Sequence, residues 1–149
     1  LYNSSAKDAN ALVLDRENFE LEFIVESKAY VYFTNNFNEA HYLTAILNST
    51  IPNLLMKDFQ SHGLYGARDV HKKILDVYFP LFSDSDVLHN KIADLSKICH
   101  KKAIDYLLLN PPPDDISTHK LGKIRVGIKK HLTEEIKAID QLVKKVMKQ

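Results

Sequence analysis

The sequence predicts an α+β fold: a small mixed sheet with short helices, followed by a long C-terminal helical hairpin. Three observations carry this. Residues 30–34 form an unbroken run of aromatic and β-branched side chains, the composition of a strand. Val87, Leu88, Ile92, Leu95, Ile98, Cys99, Ile104 and Leu108 recur at helical spacing. Beyond a proline run at 111–113, Leu121, Ile128, Leu132, Ile136, Ile139, Val143 and Val146 repeat the pattern.

Taken in order, residues 12–14 and 21–25 read as short strands separated by the polar break at 15–18, and residues 29–34 as the strongest strand, paired with the preceding run. Asn38 is the predicted N-cap of a helix that starts at Glu39, carries Tyr42, Leu43, Ile46 and Leu47 on one stripe, and ends near 48–50. Pro52 suits the first turn of the next helix, which Leu54, Leu55 and Phe59 continue until before Gly63. Residues 61–68 hold two glycines and read as a loop, 69–73 as a helical turn, and 74–79 as a strand stopped by Pro80. The cap-rich residues 83–86 open the first long helix, and the second begins at Thr118, with an interruption near Gly122 or Gly127. Three units follow: 1–109, an α+β domain ending in a long helix; 110–117, a stiff proline-rich connector; and 118–149, a C-terminal helix packed on the preceding one.

The 149 residues are 45% hydrophobic and 26% charged, enough for one globular domain and too apolar for a disordered tail. Lys and Arg number 20 against 19 acids, so bulk charge names no partner. Its distribution is uneven: residues 1–89 carry 7 basic and 12 acidic side chains, net −5, and residues 90–149 carry 13 and 7, net +6. The lone Cys99 can form no internal disulfide, and no apolar run reaches the roughly 20 residues of a membrane span. A cytoplasmic protein without membrane contact is expected, and the start at Leu1 reads as the interior of a longer chain.

Asn110-Pro111-Pro112 matches the start of the Asn-Pro-Pro-aromatic motif of amino-methyltransferases, but Pro113 supplies no ring to stack on a flipped base, and no Gly-rich cofactor loop lies upstream. It reads as a rigid connector. The seven histidines show no spacing that would pair them on a metal, so no metal site is predicted, and Cys99 sits on an apolar stripe as a buried small side chain. Two basic groups stand out. Arg68, His71, Lys72 and Lys73 follow the glycines; the Arg68 fork suits a guanine edge or a phosphate, and equally an internal carboxylate. Lys120, Lys123, Arg125, Lys129 and Lys130 fit either a nucleic-acid backbone or a solvated helix face.

Residues 33–49, with Glu39-Ala40-His41-Tyr42-Leu43 and Leu47-Asn48-Ser49, then Gly63-Leu64-Tyr65-Gly66-Ala67-Arg68-Asp69 through Lys73, then Leu81-Phe82 after Pro80, resemble the C-terminal target-recognition (specificity) region of restriction-modification adenine-N6 DNA methyltransferases. These are single-chain type II enzymes, distantly similar to type I specificity subunits. The resemblance spans about residues 28–105, and Ile139-Asp140-Gln141-Leu142-Val143 is similar to the closing helix of such proteins. It implies a sequence-specific DNA-recognition domain, non-catalytic by itself. The partners implied are double-stranded DNA and an N-terminal methyltransferase domain in the parent chain. That domain would use S-adenosylmethionine; no cofactor is expected in this fragment. The shared motifs would then mark scaffold, because residues that read different sites should differ among members. The alternative is a helical protein–protein docking module of a larger enzyme, distinguished by whether the stripes of the two long helices are buried against each other.

Overall fold

The computed structural model describes residues 1–148 apart from Leu21, Phe23, Tyr65 and Arg68. The described elements are the two-residue strands β1 (Tyr2–Asn3), β2 (Ala29–Tyr30), β3 (His62–Gly63) and β4 (Gly66–Ala67), and the helices α1 (Phe37–Asn48), α2 (Thr50–Met56), α3 (Val87–Leu109), α4 (Thr118–His131) and α5 (Thr133–Val146). The class is α+β. Its strand part is two separate antiparallel ladders, β1 with β2 and β3 with β4, where one mixed sheet was expected.

The expected strands shrink for identifiable reasons. Within residues 29–34 only Ala29 and Tyr30 pair, because the Tyr32 hydroxyl and Thr34 Oγ1 both donate to the Glu39 carboxylate, at 3.2 and 2.5 Å, and draw the segment onto the start of α1. The run 74–79 opens as a 3-10 helix, Lys73–Asp76. Its buried residues Ile74 and Val77, with Val70 just before it, are spaced as on a helix, so alternation is not the pattern that buries them. Residues 12–14 lie in irregular chain, and the strand expected over 21–25 falls partly outside the described residues.

Asn36, not Asn38, caps α1: its side chain accepts from the N–H groups of Asn38 and Glu39 at 3.0 and 3.1 Å. Asn38 is thereby inside the first turn, where its side chain accepts from Lys97 Nζ at 2.6 Å. One face of α1 (Tyr42, Ala45, Ile46) packs with Ile92 and Ala93 of α3 and Ile139, Val143 and Val146 of α5. Its other face gives Leu47 to a second cluster with Tyr2, Ala9, Met56, Val70, Ile74 and Val77. This helix is the wall between two small cores.

Asp86 opens α3 by accepting from Leu88 N–H and His89 N–H, and those bonds hold its carboxyl below the usual range. The helix runs to Leu109 as the spacing predicts, and stops before the prolines. The single helix expected over 118–149 is instead two, broken at Leu132 and not at either glycine. Leu132, at φ −94° and ψ 13°, is buried at the bend between α4, which buries no residue, and α5, whose Ile139, Val143 and Val146 are buried in the core. Thr133 Oγ1 donates back to the Lys130 carbonyl at 2.7 Å, a side-chain bond across the break. Lys102 with Glu135 and Tyr106 with His131 align α3 antiparallel to the α4–α5 pair, the predicted hairpin. No helix among the described residues is long and apolar enough to cross a membrane.

Candidate nucleic-acid interface

The most distinctive residues of the sequence turn out to be fasteners. Tyr42 donates its hydroxyl to the Pro80 carbonyl at 2.9 Å. Asn48 pairs with the Ala11 backbone through both side-chain atoms, each bond 2.8 Å. Asn53 Oδ1 accepts the buried Ala9 N–H at 2.7 Å while its amide donates to the Leu47 and Ser49 carbonyls at 2.8 Å. Ser49 caps α2 and donates to Asp140 of α5 at 2.7 Å; Asp140 also accepts from Thr50 N–H and Thr50 Oγ1, so one carboxylate clamps the start of α2 from 90 residues away. That clamp is invisible to sequence reasoning, because nothing local to Asp140 marks it.

The loop group divides. Arg68 lies outside the described residues. His71 is exposed, but its backbone is a corner of the fold: at φ 41° it occupies the left-handed region, its N–H donates to the Ser4 carbonyl at 2.8 Å, and its carbonyl accepts from Tyr2 at 3.1 Å. Lys72 is exposed on the rim of an open cleft of about 1330 Å³ between the N-terminal segment and α1, beside Leu12 and Leu75. Lys73 is half-buried. The second group lies on α4, whose main packing partner is α3.

The second group does come together. Lys120, Lys123, Arg125, Lys129 and Lys130 are all exposed on α4, a fourteen-residue helix that contains no Asp or Glu. Among the described residues none of the five is within ion-pair distance of a carboxylate. By contrast Lys57, Lys97, Lys102 and Lys137 are paired with Asp8, Asp94, Glu135 and Glu134, at 2.5 to 2.9 Å. Lys120 turns back, donating to the Asp115 carbonyl at 3.5 Å. The inner face of α4, with Leu121, Ile124, Gly127 and Ile128, is half-buried toward α3. Sequence reasoning took the cations from this helix and missed its outer small strip of His119, Gly122 and Val126. The available signal was a glycine inside a run of good helix formers.

The titratable groups shielded from solvent belong to the scaffold: His41 is buried, and Cys99 is half-buried where its stripe predicts full burial. His41 packs on Phe37 and His100, with Nδ1 3.1 Å from Ser96 Oγ, and burial, reinforced by the charges of His100 and Lys97, pushes its pKa down to about 4. Burial, with Glu135 beside it and against Lys102, pushes the Cys99 thiol up to about 11, the opposite of an activated nucleophile. Among the described residues no group of three or more His, Cys, Asp or Glu side chains could hold a metal ion. Comparisons with protein-family models, with curated proteins and with solved structures returned no match.

Proposed function

We propose that this chain is the DNA-recognition part of a restriction-modification adenine-N6 DNA methyltransferase. In this reading it is non-catalytic by itself and works in the cytoplasm beside a methyltransferase domain that transfers the methyl group from S-adenosylmethionine. The observation that carries the reading is α4: five cations, no carboxylate and no buried side chain in one helix, in a protein that pairs other lysines with acids. Uncompensated cations in a row favour a polyanion, whose bound counterions they release. The resemblance of residues 28–105 narrows the polyanion to duplex DNA, and the motif residues behave as scaffold, as such a domain requires. α4 supplies phosphate contacts that set orientation.

A second reading has its own observation. The α3 stripe meets the core through Leu88, Ile92, Leu95 and Cys99, whereas Ile104, Leu108 and the neighbouring Leu109 are 58, 75 and 82% exposed, which suits a helical docking module. One titration separates the two. Fluorescence anisotropy of the chain with a duplex of about 20 base pairs should give a binding constant that falls with salt at a log–log slope of about −3 to −4, from roughly four phosphate contacts. The variant with Lys123, Arg125, Lys129 and Lys130 changed to Gln should lose that slope, and Lys72 and Lys73 changed to Ala should alter it less. In the parent enzyme the same four-fold change should lower methylation of its site. A salt-independent or undetectable interaction with DNA would leave the docking module standing.

A further inference from the structure

Two glycines lie inside α4, and packing explains only one. A Cβ at Gly127 would collide with the Tyr106 hydroxyl, so that glycine lets α3 and α4 approach. Gly122 has open space where its Cβ would be and no positive φ. Glycine within a helix weakens it relative to alanine, so α4 retains a destabilising residue that the fold does not require.

The surroundings of Gly122 say what approaches it. At about 100° per residue, Arg125 and Lys129 run along one flank of the outer face and Lys123 and Lys130 along the other, roughly 130° away. Between the flanks lie His119, Gly122 and the 69% exposed Val126, and Thr118, His119, Gly122, Lys123 and Val126 together bound a shallow concavity. Two cation rows straddling a small, partly apolar strip match two phosphate strands straddling base edges. A helix with side chains is about 10–12 Å across and the B-form major groove about 12 Å wide. The A-form major groove is too narrow for it. A lipid surface would need a broad apolar face turned outward, where α4 has one valine between lysines.

We propose that α4 lies in the major groove of B-form DNA, with the Gly122–Val126 strip against base edges and the flanking cations on the phosphates of opposite strands. The missing side chain at Gly122 permits close approach, and Val126 is the apolar contact for a thymine methyl group. This rests on the reading of α4 as the DNA-facing element.

Anisotropy with the 149-residue chain, a mixed-sequence DNA duplex and an RNA duplex of the same sequence tests it. Gly122→Trp should keep the helical circular dichroism, since the site is open, yet lower DNA affinity about tenfold or more, whereas Gly122→Ala should change it less than about threefold. Dimethyl sulfate probing of the wild-type complex should show protected guanine N7, an atom of the major groove, without reliance on any variant. Salt-dependent DNA binding with a silent Gly122→Trp, with unprotected N7, or matched by the RNA duplex would overturn groove insertion and leave DNA recognition intact. Absence of salt-dependent DNA binding by the wild type would overturn both.

Discussion

The N-terminal region and the C-terminal arm of this chain are stabilised in opposite ways. Residues 1–12 have almost no regular structure, yet they are held by directed bonds: Asn48 and Asn53 grip Ala11 and Ala9, Gln60 donates to the Ala6 and Lys7 carbonyls, and Lys57 pairs with Asp8. The α4 helix is regular and contributes no buried residue. Regularity and anchoring are therefore separate properties here. The irregular region is fixed by long-range side-chain bonds, whereas the regular one stands on its own backbone bonds and a half-buried face, leaving its charges free to meet something else.

Four substitutions sharpen the contrast, and urea denaturation reads them all. Ile92→Ala removes a side chain with 0% exposure where α1, α3 and α5 meet, and should cost about 3–4 kcal/mol. Asn53→Leu, which strands the buried Ala9 N–H and two carbonyls, should cost about 3 kcal/mol; a change smaller than about 1 kcal/mol would mean the N-terminal segment is not held as described.

The third prediction is a pH effect. His41 is held neutral, with its folded pKa at about 4 below the ordinary 6.5, so the unfolded chain takes up the proton first as pH falls. Stability should be fully present above about pH 6.5, and His41 should withdraw about 2 kcal/mol by pH 5, a loss absent from His41→Gln. Smallest and opposite in sign, Gly122→Ala should stabilise the arm by about 0.5–1 kcal/mol, because no neighbouring atom opposes the new methyl group. Destabilisation by that change would mean Gly122 does have a packing role.

The long helices were legible because periodic burial is a local signal: Ile92 and Leu95 on α3, and Ile139, Val143 and Val146 on α5, fall where the spacing places them. The strands were not, because Tyr32 and Thr34 spend their polar atoms on Glu39, and Val70, Ile74 and Val77 are buried by a turn of helical pitch. Helix propensity points to Gly122 or Gly127 as the break, and neither breaks the helix. The break instead falls at the buried Leu132, between a helix that buries no residue and one that buries Ile139, Val143 and Val146. Of the candidate interface, the five cations of α4 could be named from sequence because they crowd into one acid-free stretch. The loop group could not be resolved, since His71 is defined by its bonds to Ser4 and Tyr2, more than sixty residues away.

The bend at Leu132 also sets a lever arm. The α4 helix extends about 21 Å from that single residue, so a tilt of about 10° there would carry the Thr118 end through roughly 4 Å, a sizeable fraction of the distance between neighbouring phosphates. The ring of Tyr106 seated over Gly127 is the brace that limits such a swing. Aim at one end of the arm is thus decided by how firmly a leucine and a tyrosine are seated at the other.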